Sequence, residues 1–367
     1  MPELRVLEVA GSPFDMGHQH GLAYADQIPE LAEERIHLSS DKKWTGRELS
    51  RTEVLALGDA CLPHHEAYAP DLVEELRGMS QATGVGITDL IILNGFTDFI
   101  DTVFNSQSAL SPTFASAHPG LDNCTAFIVS PEAAADGRGF YGQTWDMHAT
   151  ATPFVILLRG KPAEGLAFLT LTIVGCLGMI GMNAAGIAVG INNLLGGDGQ
   201  VGVTWPFVIR KVLAQDNIDD ALACITDAKL AGAHNYLLVD AHGRGYNVEA
   251  MSTRCQIEEV AHGSVVHTNH CLIGRNIEVE RERMPQSRLS SETRLSVAQT
   301  RLGAGRITLD DLFALTRNHE ASSGICVHAE APMWIESCSA AIMRPTTREM
   351  WAVWGNPCEN EYERFVI

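Results

Sequence analysis

Apolar and polar positions divide the chain into a helical first third and a strand-rich remainder. Leu4-Arg5-Val6-Leu7-Glu8-Val9-Ala10 predicts a short strand, broken by Gly11-Ser12-Pro13 before a helical stretch that starts at Met16-Gly17-His18-Gln19-His20-Gly21. Residues 22 to 100 are expected to be mainly helical, because apolar residues recur at helical spacing in Leu72, Val73 and Leu76 and again in Leu90, Ile91 and Leu93.

Residues 105 to 123 change character. They are rich in Ser, Pro and Gly without a period, which predicts a solvent-exposed linker. Strand patterns follow in Thr125-Ala126-Phe127-Ile128-Val129-Ser130 and Phe140-Tyr141-Gly142-Gln143-Thr144-Trp145, joined by a turn through Asp136-Gly137-Arg138-Gly139, with Cys124 at the head of the first. Further strands are predicted at 154–159, 166–174 and 178–193. Next come helices at 203–215 and 217–228, a hairpin at 235–250 and a strand ending in Val265-Val266-His267-Thr268-Asn269-His270. Helices near 287–302 and 308–317 and strands at 338–344 and 349–354 complete the pattern. Helices with mostly antiparallel strands make this an α+β chain, with helices layered on packed sheets. The Gly-rich apolar stretch 171–195 contains Asn183, Asn192 and Asn193, so it predicts hairpin strands rather than a membrane span.

Composition narrows the function classes. With 367 residues, 46% apolar and 19% charged, the chain is long enough and apolar enough to bury a large core. Its net charge of −19 repels polyphosphate, so nucleic acid is not an expected partner. The nine cysteines are scattered without a CxxC pair, which favours a reducing compartment; with no signal or anchor pattern at the N-terminus, a cytoplasmic location and no membrane are expected.

Cys124 carries the most chemical information. A reactive thiolate needs access and activation, and a junction between linker and strand offers access, although a cysteine there is equally well a small buried hydrophobe. Cutting the Asn123–Cys124 bond would give Cys124 an α-amine of pKa about 7.7–8.0, a usable general base on the nucleophile itself. The sulfur can make that cut by an N-to-S shift onto the Asn123 carbonyl, followed by hydrolysis of the thioester. Asp146 could orient the new amine, and Asn192 and Asn269 could donate amide N–H groups to an oxyanion; as isolated residues they read equally as strand-end and turn residues. His267, His270 and Cys271 lack the second ligand cluster a tetrahedral site requires, so neither metal nor cofactor is expected. A papain-like pair of Cys124 with His267 is conceivable, without the local signature of that class.

Taken in order, these residues resemble the acyl-coenzyme A:6-aminopenicillanic acid acyltransferase group of N-terminal nucleophile hydrolases. The resemblance runs through Gly11-Ser12-Pro13-Phe14 with Met16-Gly17 and His20-Gly21, Glu75-Leu76-Arg77-Gly78-Met79-Ser80 and Ile92-Leu93-Asn94. It continues through Cys124-Thr125-Ala126, Gln143-Thr144-Trp145-Asp146, Gly181-Met182-Asn183-Ala184-Ala185-Gly186 and Val266-His267-Thr268-Asn269-His270-Cys271-Leu272. It implies a four-layered αββα sandwich made as a precursor that cleaves itself into an α-rich subunit, 1–123, and a β subunit, 124–367, which stay associated. Cys124 would be the nucleophile, Asp146 the residue beside its amine and Asn269 an oxyanion donor. Asn192 is placed like an oxyanion asparagine of the related bile-salt and penicillin V amidases. Two departures stand out: Asn123 replaces the usual Gly before the nucleophile, and Val327 replaces an arginine in Ser323-Gly324-Ile325-Cys326-Val327-His328, for which Arg344 or Arg317 are candidate substitutes. The expected activity is transfer of an acyl group from a small-molecule amide or acyl thioester, through a thioester on Cys124, to water or an amine. The alternative is an unprocessed, non-catalytic member that binds an acyl ligand or a protein partner.

Overall fold

The computed structural model describes residues 3–46, 48–108, 123–260, 262–303, 305–319, 324–331 and 333–367. Strand β1 (Arg5–Gly11) turns directly into helix α1 (Pro13–Ala23). Ser12 Oγ accepts from the Asp15 N–H at 3.2 Å and the Asp15 carboxylate accepts from Ser12 N. This capping box, with Pro13 in the first turn, starts the helix ahead of the expected Met16. Helices α2 (Gln27–Ser40), α3 (Lys42–Thr45), α4 (Arg51–Tyr68), α5 (Pro70–Thr83), α6 (Ile87–Leu93) and α7 (Phe96–Ser108) follow.

Helix α7 corrects the expected linker, since residues 105–108 are its last turn. Phe99, Ile100 and Val103 are buried, and Asn105 Nδ2 donates to Gly199 O at 2.8 Å, so tertiary contacts extend the helix into a polar stretch. The rest of that stretch, 109–122, lies outside the described residues.

The strand-rich part comprises β2 (Thr125–Val129), β3 (Phe140–His148), β4 (Val155–Pro162), β5 (Phe168–Ile173), β6 (Ile180–Asn183) and β7 (Ala188–Asn193), then helices α8 (Trp205–Val212) and α9 (Ile218–Thr226). Next come β8 (His234–Val239), β9 (Gly245–Ala250), β10 (Cys255–Val260) and β11 (Ser264–His267), and helices α10 (Gly274–Ile277), α11 (Pro285–Leu302) and α12 (Leu309–Thr316). Strands β12 (Ile335–Arg344), β13 (Glu349–Trp354) and β14 (Glu363–Val366) follow. Sequence reading misses β10 and β14: most of β10 is exposed or half-buried without a clean alternation, and β14 is only four residues long, too short for a pattern.

Two sheets form, ordered β1-β4-β5-β6-β7-β8-β9-β10 and β11-β2-β3-β12-β13-β14. They face each other where β2 and β3 lie over β7 and β8. Helices α1, α8 and α9 cover the first sheet and α11 and α12 the second, giving the expected αββα order of layers. Strand β1 pairs in parallel with β4 from Arg5 opposite Ile156 to Gly11 opposite Pro162, so the first third of the chain supplies a strand of the larger sheet.

Two of the motifs that carried the resemblance meet here. A Cβ on Gly17 would lie 1.7 Å from Glu75 O, and one on Gly78 would lie 2.1 Å from Phe14 O, so only paired glycines let α1 and α5 approach this closely. Beside them the buried Glu75 carboxylate accepts from Arg210 Nη1 and Nη2 at 2.9 and 2.8 Å, joining α5 to α8. Breaking one side of such a pair leaves an uncompensated buried charge. Glu75→Gln is therefore expected to cost about 3–5 kcal/mol, read as a lowered urea midpoint at unchanged slope.

Candidate active site

Strand β2 places Cys124 one residue ahead of its pairing with β3, where Thr125 lies opposite Thr144. The side chain belongs to the core between the sheets, with Ala126, Ile128, Tyr141 and Trp145, and is 2% exposed. Asp146 N–H donates to Cys124 Sγ at 3.3 Å, and Sγ lies 3.7 Å from Asp146 O. The Asp146 carboxylate turns to the other side of β3, where its Oδ1 accepts from Ser337 Oγ at 2.7 Å. Asp146 thus meets the sulfur through its main chain and β12 through its side chain.

The Cys124 carbonyl is held from two directions. Asn192 Nδ2, at the end of β7 in the opposite sheet, donates to it at 3.1 Å, and Arg294 Nη1, from α11, at 2.7 Å. Arg294 also donates to Thr125 Oγ1 and, through Nη2, to Asn269 Oδ1, both at 3.0 Å. Asn269 Nδ2 donates to Asn193 O at 3.2 Å, and its main-chain N–H to Ser291 Oγ at 2.9 Å. Fixing Oδ1 on the guanidinium orients the amide so that its N–H side faces the end of β7. Asn123 precedes the site and accepts from Ser290 Oγ at 3.3 Å through its side chain. Cys124, Asp146, Asn192 and Asn269 are therefore brought together, with Asn123 beside them.

Sequence reasoning missed Arg294, which is fully buried. A buried arginine is uncommon, yet nothing in the helical pattern of α11 distinguishes Arg294 from Arg288 and Arg301, which are only partly buried. The arginines offered in place of the one absent at Val327 lie elsewhere. Arg344 pairs with Asp136 and Glu349, and Arg317 with Glu361 and the carbonyls of Pro357 and Asn360.

The histidines near Asn269 have other partners. His267 Nε2 meets Glu249 Oε1 at 3.0 Å and its Nδ1 meets Thr268 O at 2.8 Å, so both ring nitrogens are engaged away from Cys124 and a papain-like pair is not formed. His270 Nδ1 sits 2.7 Å from Ser291 Oγ. Burial, reinforced by the nearby Arg288, pushes its pKa down to about 3, so the ring is neutral at any working pH. Cys271 Sγ packs on Met251 Sδ. These three residues do not converge as ligands.

Gln143 and Tyr141 support the floor of the site. Tyr141 OH donates to Gln143 Oε1 at 2.6 Å and Gln143 Nε2 donates to Ile191 O, tying β3 to β7 next to Asn192. Gly190 makes room for this, since a Cβ there would lie 2.2 Å from Tyr141 OH. Burial, and then the proximity of Cys124, raise the Tyr141 pKa well above its ordinary value, which keeps the phenol a donor.

An apolar cavity runs along the side of β3 that carries Trp145 and Met147. Phe96, Met179, Trp205 and Arg35 also line it. Arg35 is 2% exposed, its guanidinium lies 5.3 Å from the Phe96 ring, and its Nη1 has no hydrogen-bond partner among the described residues. A larger cavity, lined by His64, Tyr68, Lys211 and Lys229, includes none of the residues around Cys124.

The chain is thus an αββα sandwich with a cysteine at the head of an inner strand, its carbonyl held by an amide and a guanidinium. Residues 133–359 match the acyl-coenzyme A:6-aminopenicillanic acid acyl-transferase family, and the chain belongs to that family. It is similar to the 40 kDa form of acyl-coenzyme A:6-aminopenicillanic-acid-acyltransferase of Emericella nidulans, at 25% identity over 72% of this chain and 68% of that one. An uncharacterized protein of Archaeoglobus fulgidus is 24% identical over 65% of this chain, a match that spans 42% of that protein's length. Among solved structures, a mutant of the conjugated bile acid hydrolase from Clostridium perfringens matches with a TM-score of 0.42 and 12% identity, covering 66% of this chain and 97% of that one.

Proposed function

We propose that the chain is a self-activating cysteine amidase or acyltransferase whose nucleophile is Cys124. The observation that carries this reading is the set of contacts on Cys124: Asp146 N–H on the sulfur, and Asn192 and Arg294 on the carbonyl, in a chain of this family. In the maturation step Sγ attacks the carbonyl carbon of Asn123. The C–N bond to Cys124 breaks, the amine takes the thiol proton, and water hydrolyses the resulting thioester to leave the Asn123 carboxylate. The products are residues 1–123 and 124–367. The β1–β4 ladder and the Glu75–Arg210 pair both cross this division and support lasting association of the two pieces.

In turnover, the freed amine of Cys124 accepts the thiol proton, and Sγ adds to the carbonyl of a small-molecule amide or acyl thioester. Asn269 Nδ2 and Asn192 Nδ2 are the donors assigned to the oxyanion. The amine passes its proton to the departing nitrogen or sulfur, leaving the acyl group as a thioester on Cys124, from which water or an amine removes it. The apolar cavity beside Trp145 has a volume of about 30 Å³, so it would have to widen to seat an acyl group, with Arg35 in its lining.

Removing one oxyanion donor costs a chemical step about 10²-fold or more. Asn192→Ala and Asn269→Ala are each expected to lower kcat on a hydrolysed amide by that factor with little change in KM. Steady-state kinetics beside a melting curve checks this; a rise in KM at constant kcat would remove both residues from the oxyanion role. The reading as a whole is tested by the mass of the denatured chain beside that of Cys124→Ala. A full-length wild type that an acylating thiol probe fails to label at Cys124 supports instead an unprocessed binder of acyl ligands.

A further inference from the structure

A second group of soft donors lies behind Asp146. Cys326 and His328 flank Val327, and His319 and Cys358 approach them from either side, so that one ligand atom from each of the four lies within 4.8 Å of every other. Cys326 Sγ is 3.3 Å from Cys358 Sγ, Cys358 Sγ is 3.2 Å from His328 Nε2, and Cys326 Sγ is 4.0 Å from the same nitrogen. The His319 and His328 rings stand with centroids 5.4 Å apart.

Zinc–sulfur bonds of about 2.3 Å and zinc–nitrogen bonds of about 2.0–2.1 Å place the ligand atoms of a tetrahedral site roughly 3.4–3.8 Å apart. The observed separations bracket that range. Two thiolates and two imidazoles are also the donor set that selects zinc over the hard cations. We propose that His319, Cys326, His328 and Cys358 form a closed Cys2His2 zinc site that is structural rather than catalytic.

The surroundings fit that role. Glu359 Oε1 lies 3.8 Å from His328 Nδ1 and can fix the ring with Nε2 directed at the metal, while Asn356 Nδ2 lies 3.8 Å from Cys326 Sγ and donates to Val327 O at 2.7 Å. Binding replaces the protons of two thiols, so Zn²⁺ enters, two protons leave, and the four-ligand site is neutral. The metal would hold the 324–328 segment to the loop after β13. That segment reaches the active site through Val327: its N–H donates to Ser337 Oγ at 2.9 Å, Ser337 N–H donates back to Val327 O at 2.8 Å, and Ser337 Oγ donates to Asp146. Cys326 and His328 are paired in the sequence across Val327, but Cys358 comes from 30 residues further on, and only the fold brings it and His319 to that pair.

The test uses the full chain in a Cys124→Ala background, which removes the proposed nucleophile and makes the result independent of the proposed activity. Protein purified under reductant without chelator is expected to carry about one zinc per chain by elemental analysis, and the Cys326→Ser/Cys358→Ser double variant none. Cobalt added to the chelator-stripped parent should give the visible bands of a tetrahedral thiolate complex, displaced by zinc. Glu359→Gln should weaken zinc binding by about 10-fold. Should the double variant fail to fold, the cobalt titration of the stripped parent decides alone. A reduced parent that takes up neither zinc nor cobalt overturns the proposal, as does a Cys326–Cys358 disulfide that persists in protein isolated and kept under reductant.

Discussion

Freshly purified wild-type chain, denatured and weighed, is expected to give two fragments divided between Asn123 and Cys124, while Cys124→Ala gives a single chain. The sulfur is the only group of Cys124 able to attack the preceding carbonyl, so its removal stops maturation outright. It also removes the thioester route, and amide turnover should fall by about 10³-fold or more, the scale at which loss of a covalent nucleophile is felt. Asn123 in place of glycine is expected to slow the first reaction. Its side chain is tied to Ser290 Oγ, whereas a glycine would leave the peptide freer to twist toward the tetrahedral intermediate. Asn123→Gly is accordingly the comparison that separates slow maturation from none. Fragments from wild type and Asn123→Gly but not from Cys124→Ala would fix the nucleophile. Intact chains from all three would remove the self-processing reading.

The second large effect is expected at Arg294. Its guanidinium holds the Cys124 carbonyl, Thr125 Oγ1 and Asn269 Oδ1 at once. Replacement by leucine removes the guanidinium from that carbonyl and frees the Asn269 amide to rotate away from the oxyanion. Activity should fall about 10²–10³-fold, chiefly in kcat. Arg294→Lys should recover little of it, because a point charge on a flexible stem cannot reproduce a planar fork that reaches several acceptors at once. Both variants are also expected to melt earlier, since the side chain is buried. The split between kcat and KM therefore carries the result: a leucine variant whose kcat stays within about threefold of wild type would reduce Arg294 to a packing element.

Much of the fold was legible locally. The β2–β3 hairpin, the 235–250 hairpin and α11 follow from alternation and helical spacing, because a residue's place on a strand or helix fixes which face it presents to the core. The polar end of α7 was not legible, since contacts of Thr102 and Asn105 with the 199–200 segment extend the helix where composition favours a linker. Glu249 also gave no signal in the sequence, although it holds His267 and the backbone N–H groups of Leu272 and Ile273.

The sequence by itself determined most of the element types, the αββα class through its resemblance, and the position of Cys124 at a strand head. Only the tertiary structure decided what surrounds that cysteine. Asn192 arrives from the opposite sheet and Arg294 from a helix 170 residues further along the chain, while Arg344 and Arg317 are drawn to acidic and carbonyl partners elsewhere. The physical reason is that backbone periodicity is set by neighbours a few residues apart. A polar cluster in a core, by contrast, is set by which buried donors and acceptors the packed layers bring within about 3 Å of one another.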